Sequence, residues 1–196
     1  MPIEKLATLT VGGGCFWCLE AIFQQIDGVE KVVAGYCGGT CPGHPTYREV
    51  CSGKTGHAEV VQVTYDPRGA TYADLLKIFM SSHNPTLTKI EKFNYGSQYR
   101  SLIFYHDEQQ KVTGETILRT LQPHFKETIG TELRPIEPFY AAEEYHQNYY
   151  DKNRKAPFCE AIIDPKLSKL RKIYPKAWKQ SHILSEKNTK TLVSLK

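Results

Sequence analysis

No stretch of the chain approaches the roughly 20 consecutive apolar residues that a helical membrane span requires. Nor does its start, MPIEKLATLTV, join a basic segment to an apolar core and a cleavage site, as an export signal would. Both absences predict a soluble, unexported, cytoplasmic protein that meets no membrane. Cysteine is too sparse for a disulfide scaffold: six in 196 residues leave thiols with individual jobs, or small buried residues. A stripe of basic residues interleaved with aromatics is also missing from the body, which argues against nucleic acid as a partner. The formal net charge of +4 hides an imbalance, because residues 152 to 196 carry 12 of the 25 Lys/Arg but only 3 of the 21 Asp/Glu. The body is therefore acidic and the tail basic, which reads as a solvated extension.

What is present suffices for one core, with 40% hydrophobic residues in a chain too short for two ordinary domains. An α+β domain is expected over residues 1–157, followed by a basic extension over 158–196 that packs on it or trails from it. KLATLTV alternates and reaches glycines, predicting a strand over residues 5 to 11; Leu19, Ile22, Phe23 and Ile26 recur at helical spacing, and a second strand follows near 29 to 36. Residues 37 to 57, with glycines, three cysteines and two prolines, read as one long loop. AEVVQVTYDP, YADLLKIFMSS and QYRSLIFYH then spell strand, helix, strand. The order β-α-β, loop, β-α-β is that of a ferredoxin-like split βαβ sandwich with long functional loops and a C-terminal extension. Further on, a helix is expected over Glu108 to Leu121, a short strand near 132 to 137, an aromatic-rich helix over AAEEYHQNYYDKN, and a basic helix in PKLSKLRKIYPKAW. Residues 181 to 196 read as loosely held.

The chemistry gathers at GGGCFWC. Cys15 opens a helix, where unpaired N–H groups favour a thiolate, and the preceding glycines leave its sulfur uncovered. Cys18 lies one opening turn away. Such a C-x-x-C pair fits a general thiol-disulfide oxidoreductase, yet Phe16 and Trp17 between the thiols suggest a pocket for an apolar group such as a methyl; plain core packing explains Phe16 more easily than Trp17. Cys37, Cys41 and His44 raise the alternative of a zinc-stabilised binding module, although no second pair stands at regular spacing. Glu59, at the start of an apolar strand, is either a solvated carboxylate or a buried acid that holds its proton near neutral pH.

Taken together, the glycine-preceded Cys15-Phe16-Trp17, PTYREVCSG, TGHAE, YGSQYRS and PFYAAEEYHQNY closely resemble the type A peptide methionine sulfoxide reductase family, from about residue 9 to 152. The resemblance implies thioredoxin-dependent reduction of methionine S-sulfoxide, free or in oxidised proteins, with no metal and no organic cofactor, by a monomer. It assigns Cys15 as the nucleophile, Phe16 and Trp17 as walls around the substrate methyl, and Glu59 as the acid that protonates the sulfoxide oxygen, helped by Tyr47 and Tyr99. Cys18 and Cys159, the latter on a mobile segment, become resolving cysteines, in relay to an exposed disulfide. Cys51 is expected in the core, with Cys37 and Cys41 as additions. The family commonly has aspartate where Asn94 stands, which alters one polar contact to the substrate.

Overall fold

The computed structural model describes residues 6–41, 43–86 and 96–180. Alternating segments form its centre: β1 (Ala7–Gly12) and β3 (Ala58–Tyr65) pair antiparallel, Leu9 opposite Val63 and Val11 opposite Val61. On their outer sides lie β4 (Leu102–Tyr105), beside β1, and β2 (Val29–Cys37), beside β3, both again antiparallel. Each strand-helix-strand crossover therefore straddles a strand of the other. β5 (Glu132–Pro135) adds in parallel to β4, and the two-residue β6 (Tyr140–Ala141) adds antiparallel to β2. The sheet order is β5-β4-β1-β3-β2-β6, and with its helices it makes the expected α+β fold.

Side chains alternate across a strand, so one face of the sheet carries Leu9, Val11, Val61, Val63 and Ile103. Against it pack α1 (Phe16–Phe23), through Leu19, Ile22 and Phe23, and α3 (Tyr72–Ser82), through Leu75, Leu76 and Phe79. The opposite face, with Val60, Leu102 and Phe104, is covered by Ile136 and Phe139. Glu59 precedes Val60 on β3 and so shares the helix-covered face with Val61 and Val63, at the end that α1 enters. The expected helix over residues 108 to 121 is α4 (Glu108–Leu121), capped by Asp107, whose side chain accepts from the Gln110 N–H at 2.7 Å.

Two segments differ from their expected forms. Residues 37 to 57 are not one loop, since they hold the short helix α2 (Tyr47–Cys51). It is begun by a capping box in which the Glu49 carboxylate accepts the Thr46 N–H at 2.8 Å and the Thr46 hydroxyl accepts the Glu49 N–H. Five residues are too few to show periodicity. The aromatic-rich segment, in turn, is not one helix: a 3-10 turn at Glu144–His146 and α5 (Tyr149–Lys152) flank Asn148, whose φ is +56°. Tertiary bonds divide it. The buried Glu20 carboxylate on α1 accepts the N–H groups of Asn148 at 2.7 Å and Tyr149 at 3.2 Å, while the Gln147 amide pairs with both backbone groups of Ala34 on β2. Glu20→Ala orphans two N–H groups beside the core and should cost about 2 kcal/mol in denaturant unfolding; an unchanged midpoint would deny Glu20 this anchoring part.

Beyond residue 157, a π-helical turn at Cys159–Ile163 runs into α6 (Asp164–Ile173). Cys159, Ile163, Leu167, Leu170 and Trp178 join the main core. Cys159 is thus fully buried against the body rather than carried on a mobile segment. Residues 181–196 and Asn94 lie outside the described residues. Among the described residues no helix is long and apolar enough to cross a membrane.

Candidate active site

The end of β1 is brought close to β3 by Gly12, where a Cβ would come within 2.6 Å of the Glu59 carbonyl oxygen. Gly14 then turns the chain at φ +78°, with its N–H on the Tyr99 carbonyl at 3.0 Å. This turn sets Cys15 at the N-cap of α1, directly above the strand that carries Glu59. The Glu59 carboxyl accepts the Phe16 N–H at 3.0 Å and so takes one of the unpaired amides of the helix start. It is 1% exposed, and burial pushes its pKa up to about 7 against the pull of that N–H. A proton therefore rests on Glu59 over much of the neutral range.

The two thiols do not ionise as the helix start alone suggests. Cys15 donates to Cys18, and this hydrogen bond, with burial and the nearby Glu59, pushes Cys15 far up; those effects outweigh the helix amides. The same bond brings Cys18 down, opposed by burial and aided by the Lys166 ammonium. The bond between them thus ties the ionisation of one thiol to that of the other.

Around the thiols opens a cavity of about 800 Å³. Its walls include Phe16, Trp17, Tyr47, Tyr99, Phe158 and Lys166. Trp17 is held on three sides: its indole N–H donates to His146 Nδ1 at 3.1 Å, its ring stacks on Tyr149 with centroids 3.6 Å apart, and Phe158 meets it edge-on. Burial keeps His146 neutral against the opposing effect of Glu143, which suits an acceptor at Nδ1. Glu143 in turn fixes Tyr47 by accepting its N–H at 2.8 Å, with the buried Tyr36 hydroxyl on its other oxygen at 2.7 Å. Tyr99 is pushed up to about 12, by burial first and then by Glu59, so its hydroxyl stays a donor at any physiological pH. Burial and a hydrogen bond to Cys51 raise Tyr47 likewise.

Two thiols and two phenols thus meet at one apolar cavity, with an acid that titrates near neutrality just behind its wall. Residues 7–179 match the family model described as peptide methionine sulfoxide reductase. The chain belongs to that family. It is 49% identical over 166 residues to the peptide methionine sulfoxide reductase MsrA of Sulfolobus acidocaldarius, covering 85% of this chain and 94% of that one. Among solved structures, methionine sulfoxide reductase A of Corynebacterium diphtheriae superposes with a TM-score of 0.73 at 34% identity, over 79% of this chain and 78% of that one. The Mxr1 of Saccharomyces cerevisiae in complex with Trx2 superposes at 0.53 and 27% identity, over 75% of this chain and 86% of that one. The protein is accordingly an oxidoreductase of the methionine sulfoxide reductase class.

In this reductase Cys15, Phe16, Trp17, Cys18, Tyr47 and Tyr99 all line the cavity. Glu59 lies behind the wall, reached through the Phe16 backbone. Cys159 sits off the cavity, in the turn packed against α1, where burial, Asp164 and then Cys18 raise its pKa. Cys51 is exposed on α2 rather than in the core, and its thiol meets the Tyr47 hydroxyl. Cys37 is buried beneath Phe139, with its sulfur 3.5 Å from the Glu137 carbonyl; Cys41 and His44 are exposed. Among the described residues no cluster of three or more His, Cys, Asp and Glu could hold a metal ion. Sequence reasoning missed His146, Glu143, Tyr149, Phe158 and Lys166. The density of aromatics, acids and histidine in EEYHQNYY was the available signal for the first three; Phe158 and Lys166 had none.

Proposed function

We propose that this reductase converts methionine S-sulfoxide, free or within oxidised proteins, to methionine through a sulfenic acid on Cys15. The observation that carries the reading is the meeting, at one helix start, of a hydrogen-bonded thiol pair and a carboxyl that keeps its proton near neutral pH. Phe16 and Trp17 offer an apolar wall to the substrate methyl. A sulfoxide oxygen is a poor leaving group until protonated; Glu59 supplies that proton, and the Tyr47 and Tyr99 hydroxyls hydrogen-bond the oxygen as charge develops on it. Attack by the Cys15 sulfur then passes the oxygen to it and frees methionine, leaving Cys15 as the sulfenic acid. Cys18 condenses with it, water leaves, and Cys159 can take over the disulfide. In the reduced structure Cys18 is 2% exposed and Cys159 fully buried, so handing the disulfide on requires the Cys159–Ile163 turn to part from α1. Thioredoxin as the final reductant is supported by the Trx2 complex of the yeast relative. The reductase works as a monomer in this reading.

The test is one turnover without reductant on each sulfoxide epimer. One equivalent of methionine is expected from the S epimer and none from the R epimer, and mass spectrometry should find Cys15 joined to Cys18 or Cys159. Thiol oxidation without methionine would instead mark a general thiol-disulfide oxidoreductase. A disulfide confined to Cys37 and Cys41 would reject the relay.

A further inference from the structure

Lys166 is a residue of the cavity that the mechanism leaves unused. It lies on α6, reaches the same wall as Cys15 and Cys18, and has no carboxylate within ion-pair distance among the described residues. The other cation on the wall, Arg100, is committed to backbone carbonyls, with Nη2 on Gly56 at 2.8 Å and Gly38 at 3.2 Å and Nη1 on Ser97 at 2.9 Å. An ammonium facing an apolar cavity without a partner favours whichever neighbour can become an anion. Cys18 lines the same cavity, and the Lys166 charge favours its anion.

We propose that Lys166 is the positioning residue for Cys18: its charge keeps that thiol ionised in the free enzyme, ready to take the Cys15 proton and then to resolve the sulfenic acid. The inference rests on the sulfenic acid reading above. The groups facing Cys18 are Cys15 from the helix start, Glu59 from β3, Cys159 from the π-helical turn and Lys166 from α6, and Lys166 is the one cation among them. In the first step the Cys15 sulfur bonds to the sulfoxide sulfur, its proton passes to the Cys18 thiolate, and the Glu59 proton passes to the oxygen; the methionine S–O bond and the new S–S bond then break as the hydroxyl passes to the Cys15 sulfur. The products are methionine, Cys15 sulfenic acid, Cys18 thiol and Glu59 carboxylate, so charge is conserved. In the second step Cys18, having lost its proton again, attacks the Cys15 sulfur. The S–O bond breaks, and the leaving hydroxide takes up a proton to become water.

The experiment follows the alkylation of Cys18 by iodoacetamide from pH 5 to 10, peptide by peptide, in the full chain, its Lys166→Met variant and its Lys166→Arg variant. The midpoint should rise by about one unit with Met and return with Arg. In a single turnover at pH 7 the Met variant should release its one equivalent of methionine and form the Cys15–Cys18 disulfide each about tenfold more slowly, both recovering at pH 9. An unmoved midpoint overturns the proposal. So does a KM raised for free methionine sulfoxide but not for its N-acetyl amide, with alkylation unchanged, because Lys166 would then serve the substrate carboxylate. Failure of the underlying reading is seen separately: if Cys18→Ser forms a Cys15–Cys159 disulfide at the wild-type rate, Cys18 is not the resolving thiol.

Discussion

With Cys15 replaced by serine, no methionine is expected from either sulfoxide epimer, a loss of at least about a thousandfold in single turnover. A hydroxyl is far harder to ionise than a thiol, so a Cys18 thiolate able to take the proton of Cys15 is too weak a base to take that of serine. The fold should survive, because serine is nearly isosteric and is itself a favoured N-cap. Near-identical thermal melts beside absent product would assign the chemistry to this one atom. Turnover within tenfold of the parent protein would move the nucleophile elsewhere, with Cys18 the next candidate.

Glu59→Gln should make the protein slower and, in alkali, more stable. The native carboxyl titrates at about 7 rather than in its ordinary range near 4.5. Between those values the folded state holds a proton that the unfolded state has released, so stability falls as pH rises through that window and levels off above it. The whole loss is about 3 kcal/mol, and glutamine, which cannot ionise, should recover it at pH 8 while gaining nothing at pH 4. The variant can still accept the Phe16 N–H. Methionine formation should drop by about a hundredfold to ten-thousandfold, and the decline expected of the parent enzyme above pH 7 should vanish. Parallel rate profiles for the two proteins would remove Glu59 from proton donation; equal stability at pH 8 would mean that its burial costs nothing.

Much of this architecture was legible beforehand because long elements write their period into the chain. Leu19, Ile22 and Phe23 marked α1, and the alternation of VVQVTY marked β3. Short elements escaped for the same reason. The five residues of α2 fill little more than one turn, and their sign was the capping pair Thr46 and Glu49. The stretch from Tyr145 to Lys152 has helical composition, but Glu20 and Gln147 spend its backbone groups on α1 and β2, and non-local bonds of this kind leave no local pattern.

The site divides along the same line. From the sequence came Cys15, Cys18 and the aromatics between them, because glycines, thiols and aromatics at fixed spacing are a local pattern, while its resemblance to the family singled out Glu59, Tyr47 and Tyr99, which the structure brings to the same place. Only the tertiary structure decided how these groups ionise and what holds them. It set Glu59 under the Phe16 amide, brought His146 to the Trp17 indole, buried Cys159 and carried Lys166 across from the last helix to Cys18. The physical reason is that a proton's affinity depends on the dielectric and the charges within a few ångströms of it, and those neighbours come from distant parts of the chain, 43 residues apart for Phe16 and Glu59 and 129 for Trp17 and His146.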